Sequence, residues 1–274
     1  GLGYQLALGD PRSFRVVDGD TATRVVTAEG WSLGSGLLLP WGAVLSADIR
    51  VNASNAWTPR SEYETETVEW PSLQFTWGRV PLPAATRRLL QNVSFRLGYS
   101  ERETNEQNLG TDQTRFRHET RIPASISVAL ARGWQIHYTW DRSRSLNVDP
   151  AGRTEAERTG QSLRFTAQFR PPPTWRSFRN PIRVNVGYRI DATDQCRALG
   201  VTDVGRQGVE GCAPFTDLTV RNVDVTVDTD VQPFTLGLQA SWRDQQSGIG
   251  QRPGSTQLDV NLFGRFFFQS GPIR

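Results

Sequence analysis

Cys196 and Cys212 are the only cysteines in the 274-residue chain, and both fall in the Gly-containing stretch DATDQCRALGVTDVGRQGVEGCAPFTD. With no histidine nearby, that placement points to a disulfide closing a loop rather than to free thiols or a metal pair. Such a bridge restricts the unfolded chain by about 3 kcal/mol in the chain-entropy picture. His118 and His137 are the only histidines. In an alternating strand His137 shares a face with Thr139 and Asp141, which could support acid–base work. The acidic runs RSEYETETVEW and YSERETNEQN could attract cations, but they lack the ligand spacing and glycine turn of a calcium loop and read as solvated charge. No phosphate-cradling glycine loop, GxSxG elbow, HExxH helix or CxxC pair occurs. The expectation is a non-enzyme with no catalytic, metal or cofactor site.

Composition narrows the class. All 31 basic residues are Arg, set against 28 acidic ones for a net charge of +3, and the signs are mixed along the chain. No basic block marks a nucleic-acid face, so that partner is set aside. No apolar run approaches the length of a membrane helix. The mean hydropathy of −0.47 is compatible with a membrane only where polar and apolar residues interleave. The chain contains no Met, which leads us to expect a mature chain or a piece of a longer one.

What positions these residues is a period-two alternation, the mark of strands whose two faces meet different surroundings. Across residues 42–54, Ala43, Leu45, Ala47, Ile49, Val51 and Ala53 share one face, while Val44, Ser46, Asp48, Arg50 and Asn52 share the other. The same pattern recurs around residues 72–77, 93–99, 134–140, 162–169, 182–190, 234–243 and 257–268, with less regular strands at 2–9, 21–36, 114–130 and 218–229. A bulge is expected near Arg221 and Asn222 and a bend or bulge at Pro123.

Connections are expected to alternate in length. Long polar ones fall at 10–20, 55–67, 101–113, 142–160, 191–217 and 244–254, and tighter ones at 37–41, 81–91, 131–133, 170–180 and 230–232. Long loops at one end and short turns at the other are the rhythm of outer-membrane barrels. The fold expected is therefore an all-β, antiparallel transmembrane β-barrel of about twelve strands, or a contiguous segment of a larger barrel, as one domain over residues 1–274. Its setting would be the outer membrane of a Gram-negative-type bacterium, with membrane lipids around it.

Parity then assigns faces. Trp41, Trp77 and Trp134 near the short turns, and Trp140 and Trp242 at the far ends of their strands, would form two interfacial girdles. Asp48, Arg50, Arg96, His137, Arg164, Arg183, Arg189, Asp224, Asp259 and Arg265 would face the lumen. Outer-membrane phospholipases place a serine soon after their histidine on one strand; HYTW at His137 does not.

The stretch VEWPSLQFTWGRVPLPAATRRLLQNVSFRLGYS resembles SprA, the large outer-membrane translocon of type IX secretion and gliding motility. Pro71, Leu73, Trp77, Leu89, Leu90, Gly98, Tyr99 and Ser100 carry the likeness, over about forty residues of the chain. The resemblance implies a block of strands from a protein-export barrel that works with shuttle and plug subunits and secreted cargo. The composition departs from the usual Lys- and Asn-rich family, since every basic residue here is Arg. The alternatives carried forward are a self-contained porin or small-solute channel and a structural or display barrel.

Overall fold

Residues that alternate between branched or aromatic side chains and polar ones favour extended backbone, and extended backbone must find partners for its N–H and C=O groups. The computed structural model describes residues 2–5, 16–17, 20–21, 25–58, 61–171, 180–200, 212–231, 234–249 and 254–266. It comprises β1 (Leu2–Gln5), β2 (Val16–Val17), β3 (Asp20–Thr21), β4 (Val25–Leu38), β5 (Ala43–Thr58), β6 (Ser61–Trp77) and β7 (Leu90–Asn108). Then follow β8 (Gln113–Leu130), β9 (Gln135–Asp149), β10 (Gly152–Phe169), β11 (Ile182–Leu199), β12 (Ala213–Val231), β13 (Phe234–Ser247) and β14 (Ser255–Phe266). Strands β2 and β3 form a separate small hairpin, and the other 12 form a single antiparallel sheet in the order β1-β4-β5 and onward to β14. Among the described residues β1 and β14 do not pair, so the sheet is open.

A soluble β-sandwich would cover one face of this sheet with a second layer. Here the extensive contacts run only between strands adjacent in the sheet. Among the described residues the buried apolar side chains are Ala43, Val148, Ala167 and Ala198, whereas Leu38, Leu258 and Leu262 are 75%, 68% and 84% exposed. Among the described residues no protein core covers the apolar face. Hydrocarbon is the medium that would.

Four expectations about connections change. The segments 55–67, 101–113 and 142–160 are mostly strand rather than loop, and the expected connection 191–217 is strand at 191–199 and 213–217. β9 and β10 are joined only by Pro150 and Ala151, where the Asp149 carboxylate accepts from the Ala151 and Gly152 amides at 2.9 Å each. β7 and β8 meet through residues 109–112, capped by the Asn108 side chain accepting from the Gly110 amide at 2.9 Å. These stretches are polar on both faces, so they lose the contrast by which alternation is recognised while their backbones go on pairing. A membrane strand needs about 9–11 residues, and β7 has 19, so nearly half of that hairpin runs beyond the apolar band.

Bulges also move. Register is continuous through Arg221 and Asn222; the shift lies at Gln195/Cys196, where Thr216 and Pro214 are the partners and Phe215 is the extra residue. What changes at Arg221 is polarity, because the outward face leaves its apolar band there. Register is also continuous past Pro123, which pairs with Asp141 on β9. Across from Pro123, a Cβ on Gly98 would lie only 2.9 Å from its Cγ, so glycine makes room for the ring. A bulge not expected from sequence lies at Trp70 and Pro71: Asp48 pairs with Ser72 but Arg50 pairs with Glu69. It reverses the strand's phase, so that Val68 joins Leu73, Phe75 and Trp77 on the apolar face.

At the opposite end the connections are compact. Pro40–Gly42 and Ala131–Gly133 are single 3-10 turns, with Trp41 at φ 66° and Arg132 at φ 70°. In the connection after β6, the Leu89 and Leu90 amides both donate to the Thr86 carbonyl, at 3.0 and 2.9 Å, giving a turn of helix within PLPAATRRLLQN. The connections expected at 10–20 and 170–180, residues 6–9 of the expected first strand, residues 201–211 of the longest loop, 232–233, 250–253, and the last residues of the expected 257–268 strand lie wholly or largely outside the described residues.

Replacing Gly98 by Val is expected to destabilise the barrel by about 1–3 kcal/mol through overpacking against Pro123. Gly36→Ala, with nothing within 4 Å of its new Cβ, should leave stability unchanged. Urea unfolding midpoints in detergent micelles check both.

Candidate functional site: the polar face of the sheet

Side chains two apart on one strand share a face, and directly paired residues share it across strands. The observed register therefore carries face assignments laterally. One row runs Thr76, Arg96, Ser125, Thr139, Ser162, Arg189, Asn222, Arg243, Gln257, crossing β6 to β14 without an apolar member. The next row toward the short turns runs Ser94, Ser127, His137, Arg164, Gly187, Asp224, Ser241, Asp259. Asp48 and Arg50 on β5, Arg183 on β11 and Arg265 on β14 lie on this same face. The ten residues singled out by parity are thus on one side of the sheet.

Their partners differ. Arg183 bridges Asp228 and Asp230 at 2.6 and 3.0 Å, and the Thr235 hydroxyl donates to Asp230 at 2.6 Å, which ties β11, β12 and β13 together near the short turns. Arg189 holds Asp191 on its own strand through two bonds of 2.6 and 3.0 Å. Arg121 and Asp141 pair across β8 and β9 at 2.8 Å. Arg96 and Arg164, by contrast, have no carboxylate partner among the described residues. A guanidinium stays charged in a protein, so one without a counter-ion is tolerable only where water or an anion can reach it. Hydroxyls share the rows with these arginines, at Thr76, Ser125, Thr139 and Ser162 in the first and Ser94, Ser127 and Ser241 in the second, with Thr139 and Ser162 bonded at 2.6 Å.

His137 has a serine after all. Its Nδ1 lies 2.6 Å from Ser127 Oγ, directly opposite on β8. A search for a serine following on the same strand misses a partner supplied by the neighbouring one. Nucleophilic catalysis would also need a group orienting the imidazole. Asp141, four residues along, is engaged by Arg121 instead.

On the apolar face, Trp77 Nε1 donates to the Trp41 carbonyl at 3.2 Å with the rings 6.4 Å apart, and Trp134 meets Phe165 edge-on at 6.0 Å. All three tryptophans lie at the short-turn end. Trp140 pairs with Ala124 and Gln161, and Trp242 with Val223 and Leu258. Two residues beyond them on the same face come Arg142 and Asp244, so each tryptophan is the last large apolar side chain before charge. Trp31 and Tyr99 hold the same position before Glu29 and Glu101; the sequence reading did not include them, although their parity was visible.

Beyond the band this face becomes ionic. Arg142 and Arg144 both bond Glu157, at 2.7 and 2.9 Å. Burial works to raise the Glu157 carboxyl, but the two guanidiniums outweigh it and hold the group below the usual carboxylate range. Asp194 goes the other way, raised by burial first and then by Asp217 and Glu157. Nearby, Cys196 and Cys212 are joined in a disulfide, with Cα atoms 5.5 Å apart and 16 residues of separation.

Comparison with known proteins bears on the fold. No protein-family model matches the chain and no curated protein matches it. Among solved structures it is similar to the ferric citrate transporter FecA, at 11% identity and TM-score 0.53 over 91% of this chain and 40% of that one. It is similar also to the alcaligin outer-membrane receptor FauA of Bordetella pertussis, at 8% identity and TM-score 0.54 over 89% and 41%. A third is BauA, the ferric preacinetobactin receptor of Acinetobacter baumannii, at 8% identity and TM-score 0.57 over 91% and 45%. The chain spans less than half the length of each of these receptors. The paired strands, bare apolar face and structural likeness together define an all-β wall of the outer-membrane β-barrel class. Its place is the outer membrane of a Gram-negative-type bacterium.

Glu157→Gln is expected to lower stability at neutral pH by no more than ~1 kcal/mol, since the pair is partly solvated. The stabilisation is present above the ordinary carboxylate pKa and fades as pH falls through the lowered folded value. Asp194→Asn should do the opposite, raising stability at neutral pH and having no effect once acid has protonated the aspartate. Unfolding midpoints measured across pH distinguish the two signs.

Proposed function

We propose that the polar face lines a transport path across the outer membrane, and that this sheet is one arc of a wall larger than twelve strands. Arg96 and Arg164, without a carboxylate partner among the described residues and set in polar rows that cross most of the sheet, are the observation that carries the reading. Such a surface suits water and anionic groups rather than a packed interior. The edges at β1 and β14, unpaired among the described residues, and the match to less than half of each receptor support a larger wall over a self-contained porin. The compact turns would face the periplasm and the extended hairpins the exterior.

In its finer form the reading is a SprA-like protein-export translocon of type IX secretion, with shuttle and plug subunits and secreted proteins as partners. Its support is the resemblance along Pro71, Leu73, Trp77, Leu89, Leu90, Gly98, Tyr99 and Ser100, which fall on β6, β7 and the connection between them. A second reading, uptake of a ferric chelate, draws on the likeness to receptors for ferric citrate and ferric preacinetobactin. Neither reading assigns catalysis to the polar face.

Replacing both Arg96 and Arg164 by Glu in the full protein separates these readings in the native bacterium. Export predicts that proteins disappear from the medium while the barrel stays at normal abundance in the outer membrane. Normal export with lost ferric-chelate uptake would favour the second reading. In planar bilayers the same double variant should move the reversal potential from anion toward cation preference.

A further inference from the structure

Outside the polar face, a different constellation lies on the opposite side of the extended β7–β8 hairpin, just past Tyr99. Alternation along β7 puts Glu101 and Glu103 on one face, and register sets His118 of β8 directly opposite Glu103. One potential ligand atom from each of the three lies within 4.8 Å of the others. His118 Nε2 is 3.4 Å from Glu101 Oε1, and Nδ1 is 3.3 Å from Glu103 Oε1.

Charge-assisted hydrogen bonds close to roughly 2.7–2.9 Å, as Arg142–Glu157 at 2.6 Å and Arg121–Asp141 at 2.8 Å do, while Arg115–Glu106 and Arg221–Asp244 stand wider at 3.4 and 3.6 Å. The histidine contacts are of the wider kind, and they leave room between the groups. Around a tetrahedral ion with bonds of roughly 2.0–2.2 Å, neighbouring ligand atoms stand about 3.3–3.6 Å apart; Nε2 and Glu101 Oε1 at 3.4 Å match such an edge, and the Glu103 carboxylate, which faces Nδ1, would turn to reach the same ion. The groups are also held from outside the triad. Tyr99 donates its hydroxyl to Glu101 Oε2 at 3.1 Å, leaving Oε1 toward the imidazole, and Phe116 stacks on the His118 ring at 6.5 Å and 11°. Supports of this kind fix ligand orientation in metal sites.

We propose that Glu101, Glu103 and His118 bind a divalent transition-metal ion of the zinc type, with water in the fourth position. One imidazole with two carboxylates suits a borderline cation, whereas calcium requires six or more oxygens. The ion would clip β7 to β8 beyond the apolar band, where lipid no longer holds the hairpin. This assignment is independent of what the polar face transports.

Calorimetric titration of the detergent-solubilised full chain with zinc chloride tests it. A single saturable zinc-binding event is expected, absent in His118→Ala and weakened about tenfold in Tyr99→Phe, which removes only a support. Circular dichroism verifies that the variants keep their strands. Cobalt should give the wild-type protein the visible absorption of a four-coordinate ion, a reading that needs no variant. Absence of saturable zinc binding, unchanged binding by His118→Ala, or calcium binding as tight as zinc would each overturn the proposal.

Discussion

The structure depends on one constraint: backbone N–H and C=O groups facing hydrocarbon have no water to bond and must be satisfied by neighbouring strands. Pairing is therefore obligatory along the whole apolar band, and pairing with period two leaves each strand only two faces. One must be acceptable to lipid. The other is free to be charged. This is why the described residues form no conventional core, and why few of their apolar side chains are buried while leucines such as Leu262 stand open.

From that constraint the extended hairpins follow less directly. Past the apolar band water is available, and strands could end. β7 through β10 continue because successive weak contacts bridge them: the Arg142–Glu157–Arg144 clamp, the Arg121–Asp141 pair and the capped two-residue turn at Pro150–Ala151. Each is worth at most about 1 kcal/mol when solvated, so it is their repetition along continuous backbone pairing that holds the hairpins. The disulfide at Cys196 and Cys212 ties down the longest connection at the same end.

How legible all this was depends on where polarity contrasts. In the band, where Val93, Phe95 and Leu97 oppose Ser94 and Arg96, faces could be assigned from sequence, and register agrees with them. Beyond it, segments such as RTEAERTG look like loops because both faces are polar, yet they are strands; pairing through the backbone leaves no hydrophobic signature. The bulge at Trp70 and Pro71 was hidden for a related reason, since a one-residue insertion only exchanges the faces of an already polar segment. The Glu101–Glu103–His118 group was obscured in the same way. Its acids read as solvated charge until register brought a histidine from the next strand, and no spacing along one strand could have announced it. Arg96 and Arg164 were visible as inward-pointing residues, but their lack of carboxylate partners emerges only when all neighbouring strands are in place.

The central claim is that the two faces meet different media, water on the Arg96 side and lipid on the other. Single cysteines introduced as Ser125→Cys and Thr139→Cys on the polar face, and as Ile126→Cys and Tyr138→Cys on the apolar one, test it in reconstituted liposomes. A water-soluble maleimide should modify the first pair and spare the second, while a lipid-partitioning quencher should reach only labels on the second. Equal modification of adjacent positions, or reversed preference, would contradict the account.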